Sequence, residues 1–205
     1  MDDGAMDTVA AAGSARRIGS LRELRALIRE DRRTNFGKGR PGFQALAVYR
    51  VGVYAEGIES WWRRAPFALV HWLGNGFVRN FYGIELYTSS RIGRRVLIGH
   101  QHGIIIHPDA VIGDDCILRQ GVTLGQTGYE PGPAPRIGNR VELGVNVVLM
   151  GGISVGDDVR IGPNAVVMRN VPAGAIVTAQ PARIMAPPPR RQPVAADPAV
   201  AAPEA

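Results

Sequence analysis

The chain has 205 residues and a formal net charge of +6, which is long enough for one compact domain with an extension. Its positive charge comes almost wholly from arginine, and these arginines are scattered along the sequence. Because nucleic-acid binding requires a clustered basic surface or a recognisable module, we expect no nucleic-acid partner. The single cysteine, Cys116, excludes an internal disulfide and suits a reducing compartment, so we expect a cytoplasmic protein.

The first third of the chain predicts helices. Residues 1–19 are rich in Ala, Gly and Asp and lack the apolar segment of a signal peptide, so they are interpreted as a disordered tail. Ser20 and Glu23 form a capping-box pattern that opens a helix ending near Glu30. A polar loop is expected over 32–42, followed by a second helix with apolar side chains at helical spacing over 43–54.

A third helix is predicted from Pro66, because proline suits the first turn of a helix. Its apolar run is shorter than the ~20 residues that a membrane span needs, and it is interrupted by charged or titratable residues. Trp61 and Trp62 precede this helix. We expect them to be buried in a helical subdomain, and peripheral contact with a membrane surface is the alternative.

The segment from Ile92 to Pro172 carries a six-residue repeat, in which an aliphatic residue is usually followed by Gly. The repeat slips by two residues between Ile104 and Ile106, and a Gly- and Pro-rich segment, Gln126 to Arg136, interrupts it again. A period of six predicts a coil with three flat faces, aliphatic residues inside, and Gly or Asn at the corners. Cys116 falls on a small-residue position of the repeat, which favours a packing role.

The predicted fold is therefore mainly β, a parallel β-helix of hexapeptide repeats behind an N-terminal α-helical subdomain. The predicted domains are a disordered tail over 1–19, a helical subdomain over 20–85, a β-helix over 86–185 and a disordered Ala/Pro-rich tail over 186–205.

The segment from Ser90 to Met185 resembles the hexapeptide-repeat acyltransferases, and within them the serine acetyltransferases. The matching pieces are Arg91-Ile92-Gly93, Ile98-Gly99-His100, Gly103-Ile104-Ile105, Gly121-Val122-Thr123-Leu124-Gly125, Thr127-Gly128 and Pro181-Ala182-Arg183-Ile184, together with the helix segment from Phe43 to Arg50. The resemblance implies a left-handed β-helix that transfers an acetyl group from acetyl-CoA to a hydroxyl. It also implies a homotrimer, with a dimer of trimers as a larger assembly.

The resemblance also assigns roles to single residues. His100 matches the catalytic base, a group that takes the hydroxyl proton near neutral pH. His102 is interpreted as contacting the acceptor, and His107 as structural. The expected acetyl-CoA contacts are Gly125, Thr127, Gly144 and Arg183, in a groove beside the later coils that the loop 126–136 closes. No metal site is expected, because the histidines lack carboxylate or thiolate partners at a fixed spacing.

Two departures bear on the acceptor. Serine acetyltransferases carry Asp before the catalytic His and an Arg-His pair later, and this chain has Gly99 and Pro133-Ala134 at those positions. Its layout is closer to the colanic-acid and exopolysaccharide acetyltransferases. The first hypothesis is therefore acetylation of an exopolysaccharide sugar or its precursor. L-serine O-acetylation and an inactive scaffold on the same fold are the alternatives.

Overall fold

The computed structural model of the chain describes residues 17–181, apart from 129 and 131, and residue 183. The tail predicted over 186–205, and all but the last three residues of that predicted over 1–19, lie outside the described residues. Helices α1 (Leu21–Thr34), α2 (Pro41–Glu56) and α3 (Trp61–Tyr82) come first. The strands that follow are β1 (Ile84–Leu86), β2 (Arg91–Ile92), β3 (Leu97–Ile98), β4 (Ile104–Ile106), β5 (Val111–Ile112), β6 (Ile117–Leu118), β7 (Thr123–Gly125), β8 (Arg136–Ile137), β9 (Glu142–Leu143), β10 (Val148–Met150), β11 (Ser154–Val155), β12 (Arg160–Ile161), β13 (Val166–Val167) and β14 (Ile176–Val177).

The strands form three parallel sheets that are the faces of a prism. Sheet A has the order β1-β4-β7-β10-β13, sheet B the order β11-β8-β5-β2, and sheet C the order β14-β12-β9-β6-β3. The chain passes from B to C to A in each coil, so every strand pairs with the strand one coil away. The repeat aliphatics fill the interior; Leu118, Leu143 and Leu149 are at most 1% exposed. The predicted fold, a left-handed parallel β-helix behind a helical region, is confirmed.

Helix α1 begins where the sequence predicts and ends later. The Ser20 hydroxyl oxygen accepts the amide of Glu23 at 3.1 Å, which satisfies a donor that the helix leaves free. The helix continues to Thr34, so the first residues of the predicted loop are helical. The reason lies at its end, where the buried Asn35 side chain donates to the Asp31 carbonyl at 2.9 Å and holds the last turn.

Helix α3 departs from the prediction in two ways. It begins at Trp61, and Pro66 lies inside it, because the Ser60 carbonyl accepts the amide of Arg64 at 2.9 Å and starts the helix one turn earlier. Trp61 and Trp62 are 78% and 65% exposed. The expectation that they are buried is wrong, since α3 packs on α2 through its opposite side.

Side chains from α1 and α2 cap the first coil of the prism. Arg50 donates to the Ile92 carbonyl at 2.7 Å and to the Gly93 carbonyl, and Asn35 bonds both the Val96 carbonyl and the Ile98 amide at 2.9 Å. These backbone groups face the open end of the coil, where no further strand can pair with them. The helices therefore satisfy polar groups that would otherwise be buried without partners.

The arginine of this cap is held by a buried ion pair. Arg50 Nε lies 3.0 Å from Asp31 Oδ2, and both side chains are almost fully enclosed. Burial raises the pKa of the Asp31 carboxyl, and the charge of Arg50 only partly offsets that effect. The pair is therefore a positioning device whose removal leaves an isolated buried charge.

The two-residue slip lies elsewhere than the sequence suggested. Ile98 pairs with Leu118, and Ile106 pairs with Leu124. The stretch from Ile98 to Ile106 is therefore two residues longer than the equivalent stretch from Leu118 to Leu124 in the next coil. Ile104 and Ile106 are both fully buried in strand β4. The additional residues therefore lie in the corner between β3 and β4, which spans 99–103 and contains His100.

Candidate active site

The corner of residues 99–103, called the His corner below, is fixed by backbone bonds to its neighbours. The Gly99 amide donates to the Leu118 carbonyl at 2.9 Å, and the His102 amide donates to the Tyr82 carbonyl at 2.7 Å. In the coil below, Gly121 donates to the His102 carbonyl at 3.0 Å. The corner is therefore anchored at both ends and not between them.

These bonds identify which residues are inserted. Gly103 and Gly121 are equivalent residues of consecutive corners, because both have a left-handed φ (72° and 74°) and Gly121 donates to the carbonyl of His102. His102 therefore stacks on Gln120. Gly99 occupies the place that Arg119 has below. His100 and Gln101 consequently have no counterpart in the next coil, and the His100 side chain is exposed at the edge of the prism.

His102 occupies a strained place on the same corner. Its φ is 77°, a conformation that non-glycine residues adopt at a cost, and its backbone packs against Gly83. A Cβ added to Gly83 would lie 3.2 Å from the His102 Cα. The junction between α3 and β1 therefore determines where the His102 ring is presented.

Below the His corner lies an unsatisfied acceptor. The side-chain oxygen of Gln120 is enclosed and has no hydrogen-bond partner among the described residues. A buried polar atom without a partner costs free energy, so an acceptor of this kind next to exposed histidines is suited to a donor on a substrate or on a neighbouring chain.

Further coils continue the same edge as a column of left-handed residues. Asn146 and Asn164 have φ values of 56° and 59°, and the Asn146 amide nitrogen lies 3.2 Å from the Asn164 side-chain oxygen. Asn146 leaves little room above it, since a Cβ on Gly121 would meet its side-chain oxygen at 2.0 Å. Glycine at 121 is therefore required by both conformation and space.

The predicted acetyl-CoA contacts do not come together within one chain. Gly144 is on the column of the His corner, in a groove of about 400 Å³ that Arg119 and Arg160 also line. Gly125 and Thr127 are at the other edge of sheet A, where Gly125 ends β7 and Thr127 follows it. Arg183 is exposed and follows β14 by six residues.

Residues 126–128, 130 and 132–135 belong to the connection between β7 and β8, at the far edge of sheet A. Gln126 bonds to both the Gly128 carbonyl (3.3 Å) and the Gly132 amide (3.2 Å) and so organises the loop. Ala134 is 6% exposed and belongs to the hydrophobic core. An imidazole at this position would point into the prism, so exchanging this one residue would not recreate the second histidine of the serine acetyltransferases.

The outer surface of sheet A connects these two edges. Strand register aligns one outward residue per coil, and these residues are Glu85, Ile105, Thr123, Val148 and Val166. Glu85 is a carboxylate that sequence analysis did not single out. It accepts the Tyr87 hydroxyl at 3.3 Å, and its place beside the His corner becomes visible only when β1 is paired with β4.

His107 and Cys116 both make polar contacts within the fold. His107 is on the next corner, where its Nδ1 accepts the amide of Asp109 at 3.1 Å. Burial raises the pKa of Cys116 to about 12, and its Sγ lies 3.2 Å from the Gly138 carbonyl. Within the described ranges, no group of His, Cys, Asp and Glu side chains is arranged to hold a metal ion. A larger cavity, of about 640 Å³, lies between the helices and the first coils, away from the His corner.

Comparison with known proteins identifies the family of the chain. The family model described as "Bacterial transferase hexapeptide (six repeats)" matches residues 134–169. The chain is 36% identical over 164 residues to a protein of Escherichia coli K12 that carries the name of a colanic acid biosynthesis acetyltransferase, WcaB, with 76% of this chain and 96% of the relative covered. This chain belongs to the hexapeptide-repeat acyltransferases. It is an acetyltransferase-type enzyme of that family.

Other members of the hexapeptide-repeat acyltransferases are serine acetyltransferases. The one from Synechococcus elongatus is 35% identical over 146 residues, which cover 71% of this chain and 57% of the relative; the chain thus spans little more than half of that protein. The soybean serine acetyltransferase apoenzyme superposes with a TM-score of 0.63 at 27% identity and covers 79% of this chain and 69% of its own.

A serine acetyltransferase from Brucella abortus, solved in complex with coenzyme A, has the same fold. It superposes with a TM-score of 0.64 at 23% identity, covering 88% of this chain and 72% of its own. Because 88% of this chain is covered, the likeness includes the helical region as well as the prism.

Proposed function

We propose that the chain transfers the acetyl group of acetyl-CoA to a hydroxyl of an exopolysaccharide sugar or its precursor, with His100 as the general base. The observation that carries the proposal is the two-residue insertion in the His corner. It brings an imidazole out of the regular repeat and exposes it at an edge of the prism, beside the unsatisfied oxygen of Gln120.

The transfer mainly requires the chain to position the two substrates and the base. The imidazole of His100 takes the acceptor proton while the hydroxyl oxygen attacks the thioester carbon. The carbon–sulfur bond then breaks, the departing thiolate of coenzyme A takes the proton from His100 to give the free thiol, and the acetyl ester remains on the acceptor. Histidine is a common general acid and base, so one imidazole can perform both transfers.

The acceptor assignment follows from two polar residues that the chain lacks, one in the His corner and one at position 134. Gly99 places no carboxylate before His100, and Ala134 is buried in the core. A free amino acid would need partners for its charged amino and carboxyl groups, and a site without them discriminates against it. A sugar hydroxyl has no such requirement. The likeness to the WcaB relative supports the same assignment.

We place the complete site between two copies of the chain. His100 and Gly144 are at one edge of sheet A, and Gly125, Thr127 and the loop 126–136 are at the other. Below Glu85 the outward column of sheet A is aliphatic apart from Thr123, and Val166 is 65% exposed. A cyclic homotrimer that covers sheet A would bring the two edges of neighbouring copies together.

Thiol release from acetyl-CoA by the purified full chain tests the acceptor. Turnover with a repeating-unit oligosaccharide or its polyprenyl-linked form, and slow turnover with L-serine, is expected. Rapid acetylation of L-serine would instead assign the chain to serine O-acetylation, for which the 35% identity to the Synechococcus elongatus enzyme speaks. No turnover with either class, while acetyl-CoA still binds, would leave an inactive scaffold.

A further inference from the structure

Helix α3 presents an apolar surface that nothing in the described part of the chain covers. Its exposed large apolar side chains, called the α3 face below, are Trp61, Trp62, Leu69, Val70, Trp72, Leu73, Phe77 and Phe81, each between 46% and 78% exposed. The opposite side of the helix packs on α2, where Gly52 and Gly74 leave no room for a Cβ. A contiguous apolar face of this extent marks an interaction site on a soluble domain.

Tryptophans and arginines have distinct positions on helix α3. All three tryptophans of the chain lie on it, and tryptophan is the side chain that prefers the boundary between lipid and water. Between Arg64 and Arg79 the helix contains no Asp, Glu, Lys or Arg, and the Nδ1 atom of His71 lies 3.0 Å from the Val48 carbonyl oxygen. Arginines therefore stand at both ends of an uncharged surface.

Charge decides between the candidate occupants. Helix α3 contains Arg63, Arg64 and Arg79 and no Asp or Glu. If two copies paired through this face, in either direction, arginines would meet arginines with no carboxylate of the helix between them. The headgroups of anionic lipids supply the missing opposite charge, and basic residues near such a surface are attracted to it.

The dimensions fit a helix lying on a membrane. At 1.5 Å per residue, the 22 residues of α3 span about 33 Å, and none of the helices in the described ranges is long and apolar enough to cross a bilayer. A helix with aromatic and aliphatic residues on one side and arginines at its margins lies in the interfacial plane.

We infer that the α3 face docks the enzyme on the surface of an anionic phospholipid bilayer. The inference does not depend on the proposed acceptor, because it rests on the face alone. It would place the catalytic prism, which follows α3 directly through β1, next to the membrane.

Co-sedimentation of the full chain with vesicles tests this, using phosphatidylcholine alone and mixed with phosphatidylglycerol. We expect binding to the anionic vesicles with a blue shift of the tryptophan emission, which reports on the α3 face alone. The variant Trp62→Ser/Leu69→Ser/Leu73→Ser should bind roughly tenfold or more weakly. The matched control, Leu21→Ser/Phe36→Ser/Ile176→Ser, removes three exposed apolar residues elsewhere and should bind like the unaltered chain.

Three results would overturn the inference. The unaltered chain does not bind anionic vesicles, or the α3 variant binds as well as the control, or the α3 variant loses a higher oligomeric state in light scattering. The last result would assign the face to a second copy of the chain. Far-ultraviolet circular dichroism and thiol release from acetyl-CoA with a soluble acceptor verify that the variants are folded, and both should be unchanged.

Discussion

The amide of Gly121 donates to the carbonyl of His102 at 3.0 Å, and this one bond sets the registration of two consecutive corners. It places His102 over Gln120, so the two residues that the first corner has in excess are His100 and Gln101. The base proposed for catalysis is thus carried by an insertion into an otherwise regular repeat. The regular repeat provides a rigid support for the site, and the insertion exposes the His100 side chain.

Replacing His100 tests the proposed base. His100→Ala should lower kcat on the order of 10²–10⁴-fold, the usual contribution of positioned proton transfer, and leave acetyl-CoA binding intact. Steady-state thiol release and calorimetric titration with coenzyme A measure the two quantities. His107→Ala is the control, because that histidine accepts a backbone amide on a different corner. Equal losses in both variants would contradict the assignment.

Adding a methyl group at Gly121 tests the geometry of the corner. Gly121→Ala meets both a left-handed φ and the Asn146 side chain, whereas Gly174→Ala meets only a left-handed φ of 72° with nothing within 4 Å. The control should cost about 1–2 kcal/mol in free energy of unfolding, and Gly121→Ala should cost more and also lower kcat. Chemical denaturation and initial rates compare them. Identical costs would mean that Asn146 moves aside freely.

The sequence predicted the prism because its signal is a period. Each inward aliphatic residue, such as Leu118 or Leu143, indicates the same coil geometry as the next one. A local irregularity in the repeat therefore does not obscure the fold. The slip was recognised but misplaced by a few residues, since Ile104 and Ile106 both suit an inward position. Only strand pairing distinguishes an irregular strand from a longer corner.

Other features depend on contacts that a single sequence does not contain. Trp62 is exposed because the other side of α3 packs on α2. Apolar residues lie on both sides of α3, so the sequence alone does not indicate which side is buried. The role of Arg50 as a cap depends on carbonyls more than 40 residues away. Glu85 lies beside the His corner only through the pairing of β1 with β4.

A charge on the outer surface of sheet A tests the proposed assembly. Val166→Glu should prevent assembly of the proposed homotrimer and reduce activity, because a buried carboxylate at an interface would lack a partner. Ile176→Glu is the control on sheet C, since Ile176 is 73% exposed, similar to the 65% of Val166. Light scattering measures the mass of each variant. A trimer that survives Val166→Glu would remove sheet A from the interface.

The thiol of Cys116 should be unreactive in the folded protein. It is 1% exposed, and burial raises its pKa to about 12, so the nucleophilic thiolate is absent at neutral pH and up to pH 9. Alkylation by iodoacetamide at pH 8, followed by mass spectrometry, should modify the chain only after denaturant is added. Rapid modification of the native protein would show that the coils open locally at that position.

Removing the arginine that caps the prism should destabilise the whole chain. Arg50→Ala leaves the Asp31 carboxylate buried without its partner and the carbonyls of Ile92 and Gly93 without a donor. The expected loss is about 3–5 kcal/mol in free energy of unfolding. Arg95→Ala removes a half-exposed arginine that pairs with Glu30, Asp114 and Asp115 and should cost about 1 kcal/mol, because solvent screens these pairs. Urea unfolding followed by circular dichroism measures both. Similar midpoints for the two variants would mean that water replaces Arg50 at the end of the first coil, and the helices would then be dispensable as a cap.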